Sequence, residues 1–115
     1  MDANKKQQIT HNDFAKLDIR IGTILSAEKV PETDKLLHLE VEVGEEPPRH
    51  LVAGIAEYAK DPHALIGKQV PVLLNLEPKV IRGLQSYGMI LAISSGDGLA
   101  LIHPDRVVIS GSTVK

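Results

Sequence analysis

The residues of this sequence best suited to chemistry are cations that gather in its second half. Positions 66–91 hold Lys68, Lys79 and Arg82 against a single acid, whereas positions 30–50 hold six acids against two cations. Since the net charge of the whole chain is −2, a polyanion must be bound by a local patch and not by a bulk basic field. Lysine and arginine supply RNA affinity chiefly through phosphate contacts, so this stretch is a candidate basic face on an acidic protein.

Each polar residue of this stretch also has a purely structural interpretation, which the sequence leaves open. Lys79 and Arg82 fit solvated charges on a loop after a strand. Asn75 ends an apolar run, where asparagine often bonds its own backbone in a turn. Met89 fits core filler at the start of a strand, and Ser86 fits a residue that only shapes a turn.

Residue types for catalysis and metal binding are present, but without the spacing that such sites need. The five histidines lack the short paired spacing that places two imidazoles on one helix face; they are His11, His38, His50, His63 and His103. The glutamates of positions 40–46 fit a solvated strand edge better than a calcium loop. No glycine-rich phosphate loop or serine-hydrolase motif occurs. We therefore predict no catalytic residue, no metal site, no cofactor and no enzymatic activity.

Length and composition limit the architecture and the compartment. The chain has 115 residues, enough for one domain. With two Tyr, one Phe and no Trp, the core must consist of Val, Ile, Leu and Ala, which favours strands. The absence of cysteine fits a reducing cytosol, and no apolar run is long enough for a signal peptide or membrane span. We expect a cytoplasmic protein without a membrane partner, and the initial Met1 favours a complete chain.

The first 30 residues contain a tail, a helix start and a strand. Residues 1–9 are predicted to be a disordered tail that precedes a single domain over 10–115. Thr10 and Asp13 have the spacing of a capping box, which predicts a short helix through Leu17 with Phe14 filling one end of the core. Residues 17–30 are predicted to form a strand, with a bulge or sharp bend at Gly22. Its inward face would consist of Ile19, Ile21, Leu25 and Ala27.

The remaining pattern predicts a small closed barrel. Leu37, Leu39, Val41 and Val43 alternate with polar residues as a second strand. Further strands are predicted at 50–55, 69–76, 89–94 and 99–102, with a helical connection at 56–65. Five strands plus a short extra one, with a helix after the third, is the element order of the OB fold. The predicted fold class is therefore all-β: a five-stranded Greek-key OB barrel with short helices and a C-terminal extra strand.

Three ordered blocks give this chain a family resemblance. They are DFAKLDIRIG at 13–22, DKLL at 34–37 and NLEPKVIRGLQSYGMILA at 75–92. Together they resemble the tRNA-binding domain found at the C-terminus, or as the beta subunit, of methionyl-tRNA synthetases and as stand-alone structure-specific tRNA-binding proteins. The resemblance covers about residues 10–115, nearly the whole chain.

The resemblance implies a function, partners and a set of contact residues. It implies an OB barrel that forms a homodimer, binds the outer corner of tRNA without reading the anticodon, and works with an aminoacyl-tRNA synthetase catalytic subunit. The C-terminal apolar residues would form the two-fold interface or close the barrel within one chain; they are Leu99, Leu101, Ile102, Val107, Val108 and Ile109. The residues that match the family's RNA contacts are Lys35, Asn75, Lys79, Arg82, Ser86 and Met89.

Some positions depart from the family pattern. Relatives often carry a basic residue where Glu77 or Val80 stands, so a thinner cationic patch is expected, while Gln85 replaces a common acid. Tyr87 stands at a variable position, where it fits a ring that stacks on RNA as well as one that covers the barrel.

Two other functions fit the same barrel. One is a CsaA-like secretion chaperone that holds unfolded peptides, although those relatives typically lose the pair that stands here as Gly88 and Met89. The other is a domain that dimerises a synthetase and has little affinity for RNA.

Overall fold

The computed structural model describes residues 5–115. Residues 1–4, the first part of the predicted tail, lie outside the described residues, and residues 5–9 are exposed and form neither helix nor strand. Within residues 5–115 no helix is long and apolar enough to cross a lipid bilayer.

The first element is a short helix whose start the sequence predicts correctly. Helix α1 spans His11–Ala15, with Thr10 as its N-cap. The Thr10 hydroxyl accepts the Asp13 N–H at 3.1 Å, and the Asp13 carboxylate accepts the Thr10 N–H at 3.2 Å. These reciprocal bonds satisfy two donors that a helix start leaves free. The expectation that Phe14 fills an end of the core is wrong. Phe14 is 42% exposed, and no residue of this single-turn helix is buried.

Nine strands occur within the described chain. They are β1 Ile19–Lys29, β2 Leu37–Glu42, β3 Arg49–Ala53, β4 Gln69–Leu73, β5 Lys79–Ile81, β6 Leu84–Ser86, β7 Met89–Ile90, β8 Ala92–Ser95 and β9 Gly98–Leu101. Five of them form an antiparallel sheet in the order β3-β2-β1-β4-β7, while β5–β6 and β8–β9 are separate hairpins.

The sheet curls into a nearly closed barrel because β3 meets the segment that leads into β7. The N–H of Tyr87 donates to the C=O of His50 at 3.0 Å, and the N–H of Val52 donates to the Ser86 hydroxyl at 2.9 Å. The architecture agrees with the predicted OB barrel, which closes its edges in this way.

Inside the barrel the alternation predicted for β2 is confirmed. Leu37, Leu39, Val41 and Val43 are all completely buried. Gly22 lies against them: a Cβ on this glycine would come within 2.5 Å of a Val41 methyl carbon. Gly22 therefore permits close packing across the barrel, and the predicted bulge lies elsewhere.

The bulge of β1 lies between Ile24 and Ser26, where the pairing with β2 shifts by one residue. Because side chains alternate along a strand, an extra residue reverses which face points inward. Gly22 and Ile24 are buried before the bulge and Ala27 is buried after it, so the inward face shifts by one position. Ile19 is buried outside the core cluster, and Ile21 is half-buried. Leu25 is the extra residue of the bulge and is exposed, so its predicted inward position is wrong.

One predicted helix and two predicted strands also differ from the predictions. Only Pro62–Leu65 of the expected helix at 56–65 is helical, as one 3-10 turn, because Pro62 disfavours helical backbone before it. The predicted strand at 89–94 divides at Leu91, where β7 ends on β4 and β8 pairs instead with β9. The predicted strand at 69–76 ends at Leu73, and the hairpin β5–β6 that follows was not predicted.

The C-terminal segment is fastened back onto the barrel. The N–H groups of Gly111 and Val114 donate to the C=O groups of Ile21 and Ile19 at 2.7 and 2.8 Å. Leu99 and Leu101 pack against the core. Val107 and Ile109 are instead 83% and 85% exposed, so the C-terminal apolar residues divide between core and surface.

Candidate nucleic-acid interface

The hairpin β5–β6 contains three of the predicted contact residues, Lys79, Arg82 and Ser86. Lys79 pairs with Ser86 at its base, and Ile81 pairs with Leu84 next to its tip. The two turn residues, Arg82 and Gly83, have φ angles of 53° and 80°. Positive φ at both central positions is the backbone of a type I′ turn, which matches the twist of paired strands. Arg82 thus occupies a conformation that L-residues adopt at a cost of about 1–2 kcal/mol.

A groove of about 550 Å³ lies between this hairpin, β3 and β7, and we call it the hairpin groove. It brings Lys79, Ser86 and Met89 together over an apolar floor. Lys79 is exposed at its edge, and the Met89 side chain is half-exposed within it.

A second depression, of about 360 Å³, lies between the tip of the hairpin and the β1–β2 loop. Glu32, Lys35 and Arg82 line it. The β1–β2 loop is held from both sides, since the Thr33 hydroxyl donates to the C=O of Val30 at 2.8 Å and the C=O of Lys35 accepts the N–H of Ala56 at 3.0 Å. OB folds bind oligonucleotides beside this loop and the connection between their fourth and fifth strands.

The two depressions are joined by a third, of about 450 Å³. It shares Gly54 and Leu99 with the hairpin groove, and it shares Lys35 with the depression beside the β1–β2 loop. We call the three together the loop face. Five of the six predicted contact residues line it, although they come from segments far apart in the sequence: Lys35, Lys79, Arg82, Ser86 and Met89.

Asn75, the sixth predicted residue, lines none of these depressions and its amide is engaged elsewhere. Its Oδ1 accepts the N–H of Asp18 at 2.9 Å, and its Nδ2 donates to the C=O of Lys16 at 2.6 Å. Asn75 therefore ties the end of α1 to the end of β4. An RNA contact by this residue stays a prediction, and the geometry gives its side chain a structural role.

Ser86 lies in the hairpin groove, but it is 4% exposed. Its hydroxyl accepts the N–H of Val52 and donates to the C=O of Gly88 at 3.2 Å. Its contact with RNA likewise stays a prediction, and its observed bonds close the barrel.

The three cations of the loop face have no ionic partner within residues 5–115: no salt bridge involves Lys35, Lys79 or Arg82. Other arginines are differently placed. The Arg20 guanidinium bonds Asp18 at 2.9 Å, and that of Arg49 bonds Glu45 at 3.0 Å. The cations of the loop face are thus available to phosphate groups.

Carboxylates line the same surface and weaken its positive field. They are Glu32, Asp34, Glu57, Glu77 and Asp97. Hydrogen bonds from the Ser95 hydroxyl, at 2.5 Å, and from the backbone N–H of Asp97 hold the pKa of the Asp97 carboxyl below its usual range. Asp97 therefore remains ionised. A polyanion can be held here at the three cations and not by a broad basic surface.

Arg49 stabilises the segment that forms the site, and the sequence analysis did not identify this role. Its Nη1 donates to the C=O of Leu74 at 2.7 Å and to the C=O of Tyr87 at 3.0 Å. It thereby joins both ends of the connection that carries the hairpin. No local pattern indicates such bonds, whereas a two-residue turn that contains glycine, Arg82-Gly83, between the apolar residues Ile81 and Leu84 was an available signal for the hairpin itself. Within residues 5–115 no group of three or more metal-binding side chains is close enough to hold an ion.

Comparison with known proteins agrees with this architecture. The family model described as "Putative tRNA binding domain" matches residues 19–113. The methionine–tRNA ligase of Methanosarcina mazei is 48% identical over 108 residues, which is 93% of this chain and 15% of that protein. This chain thus spans about 15% of the length of that relative.

Solved structures extend the comparison. A MetRS-related protein from Pyrococcus horikoshii superposes with a TM-score of 0.87 at 33% identity, over 96% of this chain and 100% of that chain. The chaperone CsaA from Bacillus anthracis superposes with a TM-score of 0.83 at 28% identity, over 95% of this chain and 100% of that chain. Since the family model covers most of the barrel and agrees with a close relative and with the fold, the chain belongs to the tRNA-binding domain family and is related to methionyl-tRNA synthetases and to CsaA.

Proposed function

We propose that this chain is a non-catalytic module that binds the outer corner of tRNA through the loop face, by shape and by phosphate contacts. The observation that carries the proposal is the position of Lys35, Lys79 and Arg82. They come from the β1–β2 loop and the β5–β6 hairpin, line adjoining depressions and have no ionic partner in the described part of the chain. Shape recognition of folded RNA needs a few well-spaced phosphate contacts and no base reading.

The cellular role that we propose is assistance to a methionyl-tRNA synthetase in the cytoplasm, either as its C-terminal part or as its beta subunit. A module that holds tRNA beside a catalytic subunit raises the local tRNA concentration without touching the chemistry. The expected kinetic signature is a lower KM for tRNA at unchanged kcat when the module is joined to the catalytic subunit.

The test is a filter-binding titration of bulk tRNA with the double charge reversal Lys79→Glu/Arg82→Glu. A matched control is Lys5→Glu/Lys6→Glu, which makes the same change in net charge at exposed residues before α1. We expect the first pair to abolish binding and the control to retain most of it. With about three phosphates neutralised, log K should fall with log salt at a slope of roughly −2 to −3. Equal losses in both variants would overturn the assigned surface.

We also propose that the module is a homodimer. Val107 and Ile109 are the most exposed of the large apolar side chains among the described residues, and a two-fold contact between copies would cover them. Light scattering should give twice the chain mass of 12.5 kDa. The double variant Val107→Asp/Ile109→Asp should give the mass of one chain. A wild-type mass of 12.5 kDa at working concentration would refute the dimer.

A second candidate function is a chaperone that holds unfolded peptides, and the structural similarity to CsaA favours it. A third is a synthetase dimerisation domain with little RNA affinity. Wild-type protein that binds an unfolded polypeptide but not tRNA would support the chaperone. Wild-type protein that forms a dimer and binds neither would support the dimerisation domain.

A further inference from the structure

A cleft of about 480 Å³ adjoins the loop face beside Pro78. Its walls are mostly rings and aliphatic groups, from Pro47, Pro48, His50, Leu74, Leu76 and Tyr87. Leu76 also lines the hairpin groove, and Pro78 is the neighbour of Lys79 in the sequence. The cleft is therefore continuous with the surface that carries Lys79.

Tyr87 is held at this cleft by its backbone, which leaves its ring available. Its N–H donates to the C=O of His50, and its C=O accepts from Nη1 of Arg49, both at 3.0 Å. The preceding residue, Ser86, is buried and bonded to Val52. The Tyr87 side chain is nevertheless 43% exposed. An exposed aromatic ring on a backbone that is fixed on both sides is a preorganised wall for a flat ligand.

Charge in the cleft is neutralised internally. Glu45 is the one carboxylate lining it in the described part of the chain, and Arg49 binds both of its oxygens, through Nε at 3.3 Å and Nη2 at 3.0 Å. The remaining guanidinium nitrogen, Nη1, is bonded to backbone carbonyls. The cleft thus favours a neutral, flat group, while the adjacent Lys79 favours an anion. A nucleotide combines these two properties, because its base is a neutral ring and its phosphate is charged.

We propose that the Tyr87 cleft binds one unstacked nucleobase of the bound RNA, stacked on the tyrosine ring, while Lys79 binds an adjoining phosphate. This inference rests on the proposed RNA-binding function and adds a base-binding subsite to it. Stacking on aromatic side chains tolerates every base, because each has a π-face, so the subsite adds affinity without sequence specificity.

The test observes the tyrosine rings directly by NMR in protein with labelled tyrosine. The chain has two tyrosines, and the spectrum of Tyr87→Phe assigns the Tyr87 signals. Titration with AMP should move the Tyr87 ring protons upfield through the ring current of the base. Ribose 5-phosphate, which has the same sugar and phosphate without the base, should leave them in place. Bulk tRNA should produce the same upfield shift as AMP.

An affinity measurement complements the spectra. Tyr87→Leu keeps an apolar side chain but loses the ring, and it should weaken tRNA binding about five- to tenfold, whereas Tyr87→Phe should bind nearly as wild type does. Unfolding curves of both variants check that the barrel is intact. If Tyr87→Leu unfolds, the wild-type titrations with AMP and ribose 5-phosphate still decide the proposal.

The possible failures can be told apart. If tRNA binds and the double reversal at Lys79 and Arg82 abolishes binding, but the Tyr87 signals do not move, the base subsite is wrong and the proposed function stands. If wild-type protein does not bind tRNA at all, the proposed function itself fails. An apolar peptide that moves the Tyr87 signals when AMP and tRNA do not would identify the cleft as a peptide site and overturn the inference.

Discussion

The hydroxyl of Ser86 accepts the backbone N–H of Val52 at 2.9 Å, and Ser86 is 4% exposed. A side chain thus replaces one rung of the β-ladder and joins β3 to the segment that carries the β5–β6 hairpin. The geometry of the loop face therefore depends on a residue that is itself almost completely buried.

Replacement of Ser86 by alanine should lower the free energy of unfolding by about 1–3 kcal/mol, because it leaves the buried N–H of Val52 without an acceptor. Urea unfolding measures the loss. The matched control is Ser94→Ala, at an exposed position on β8, which should stay within about 0.5 kcal/mol of wild type. Equal stability of the two variants would contradict the assigned role of the bond.

Replacement of Arg82 by asparagine should move stability and RNA affinity in opposite directions. Asparagine tolerates the left-handed backbone of the turn, so the free energy of unfolding should rise by up to about 1 kcal/mol. The lost charge should at the same time weaken tRNA binding. Arg82→Lys keeps both charge and strain, and it should resemble wild type in thermal unfolding and in filter binding. A fall in stability for Arg82→Asn would argue against strain at this position.

Replacement of Asn75 by alanine separates the two interpretations of this residue. If its role is to tie α1 to β4, the amide proton of Asp18 should exchange faster with solvent, while tRNA affinity of the folded protein stays unchanged. If the sequence-based prediction of an RNA contact is also correct, tRNA affinity should fall together with the faster exchange. Hydrogen exchange and filter binding on the same sample distinguish the outcomes.

Gln69 positions the C-terminal segment, and its replacement by leucine should release it. Its Oε1 accepts the N–H of Val108 at 3.0 Å, and its Nε2 donates to the C=O of the same residue at 2.7 Å. We expect faster exchange of the Val108 amide and a stability loss of about 1–3 kcal/mol. If Val107 and Ile109 form the dimer contact, the dimer should also dissociate at higher protein concentration than wild type. Gln85→Leu, on the exposed face of the hairpin, is the control.

The Asp97 carboxyl should titrate below its usual range, and Ser95→Ala should move its pKa upward, because the largest cause of the lowered pKa is the hydrogen bond from the Ser95 hydroxyl. A group whose folded pKa is lowered stabilises the folded state above its unfolded pKa and loses that contribution as pH falls through the folded pKa. The β8–β9 turn should therefore loosen only in acid. NMR titration of the carboxyl carbon measures both effects, and an unchanged pKa in Ser95→Ala would contradict the stated cause.

The features that the sequence by itself determined are those encoded within a few neighbouring residues. The spacing of Thr10 and Asp13 identifies the capping box, and the alternation from Leu37 to Val43 identifies β2 and its buried face, because both patterns act over one turn of helix or a few residues of strand. The family motifs identify the barrel as a tRNA-binding domain in the same way, since they are read along the chain.

Tertiary structure decided everything that depends on residues far apart in sequence. The pairing of β1 with β2 sets the bulge at Ile24–Ser26, so no single period within β1 could show which face is buried on each side of it. Likewise, Asn75 and Ser86 look like surface polar residues until their distant partners, Asp18 and Val52, are seen. The closeness of Lys35 to Arg82 arises only when the barrel closes and brings two loops together, because hydrogen bonding between strands, and not local preference, sets that distance.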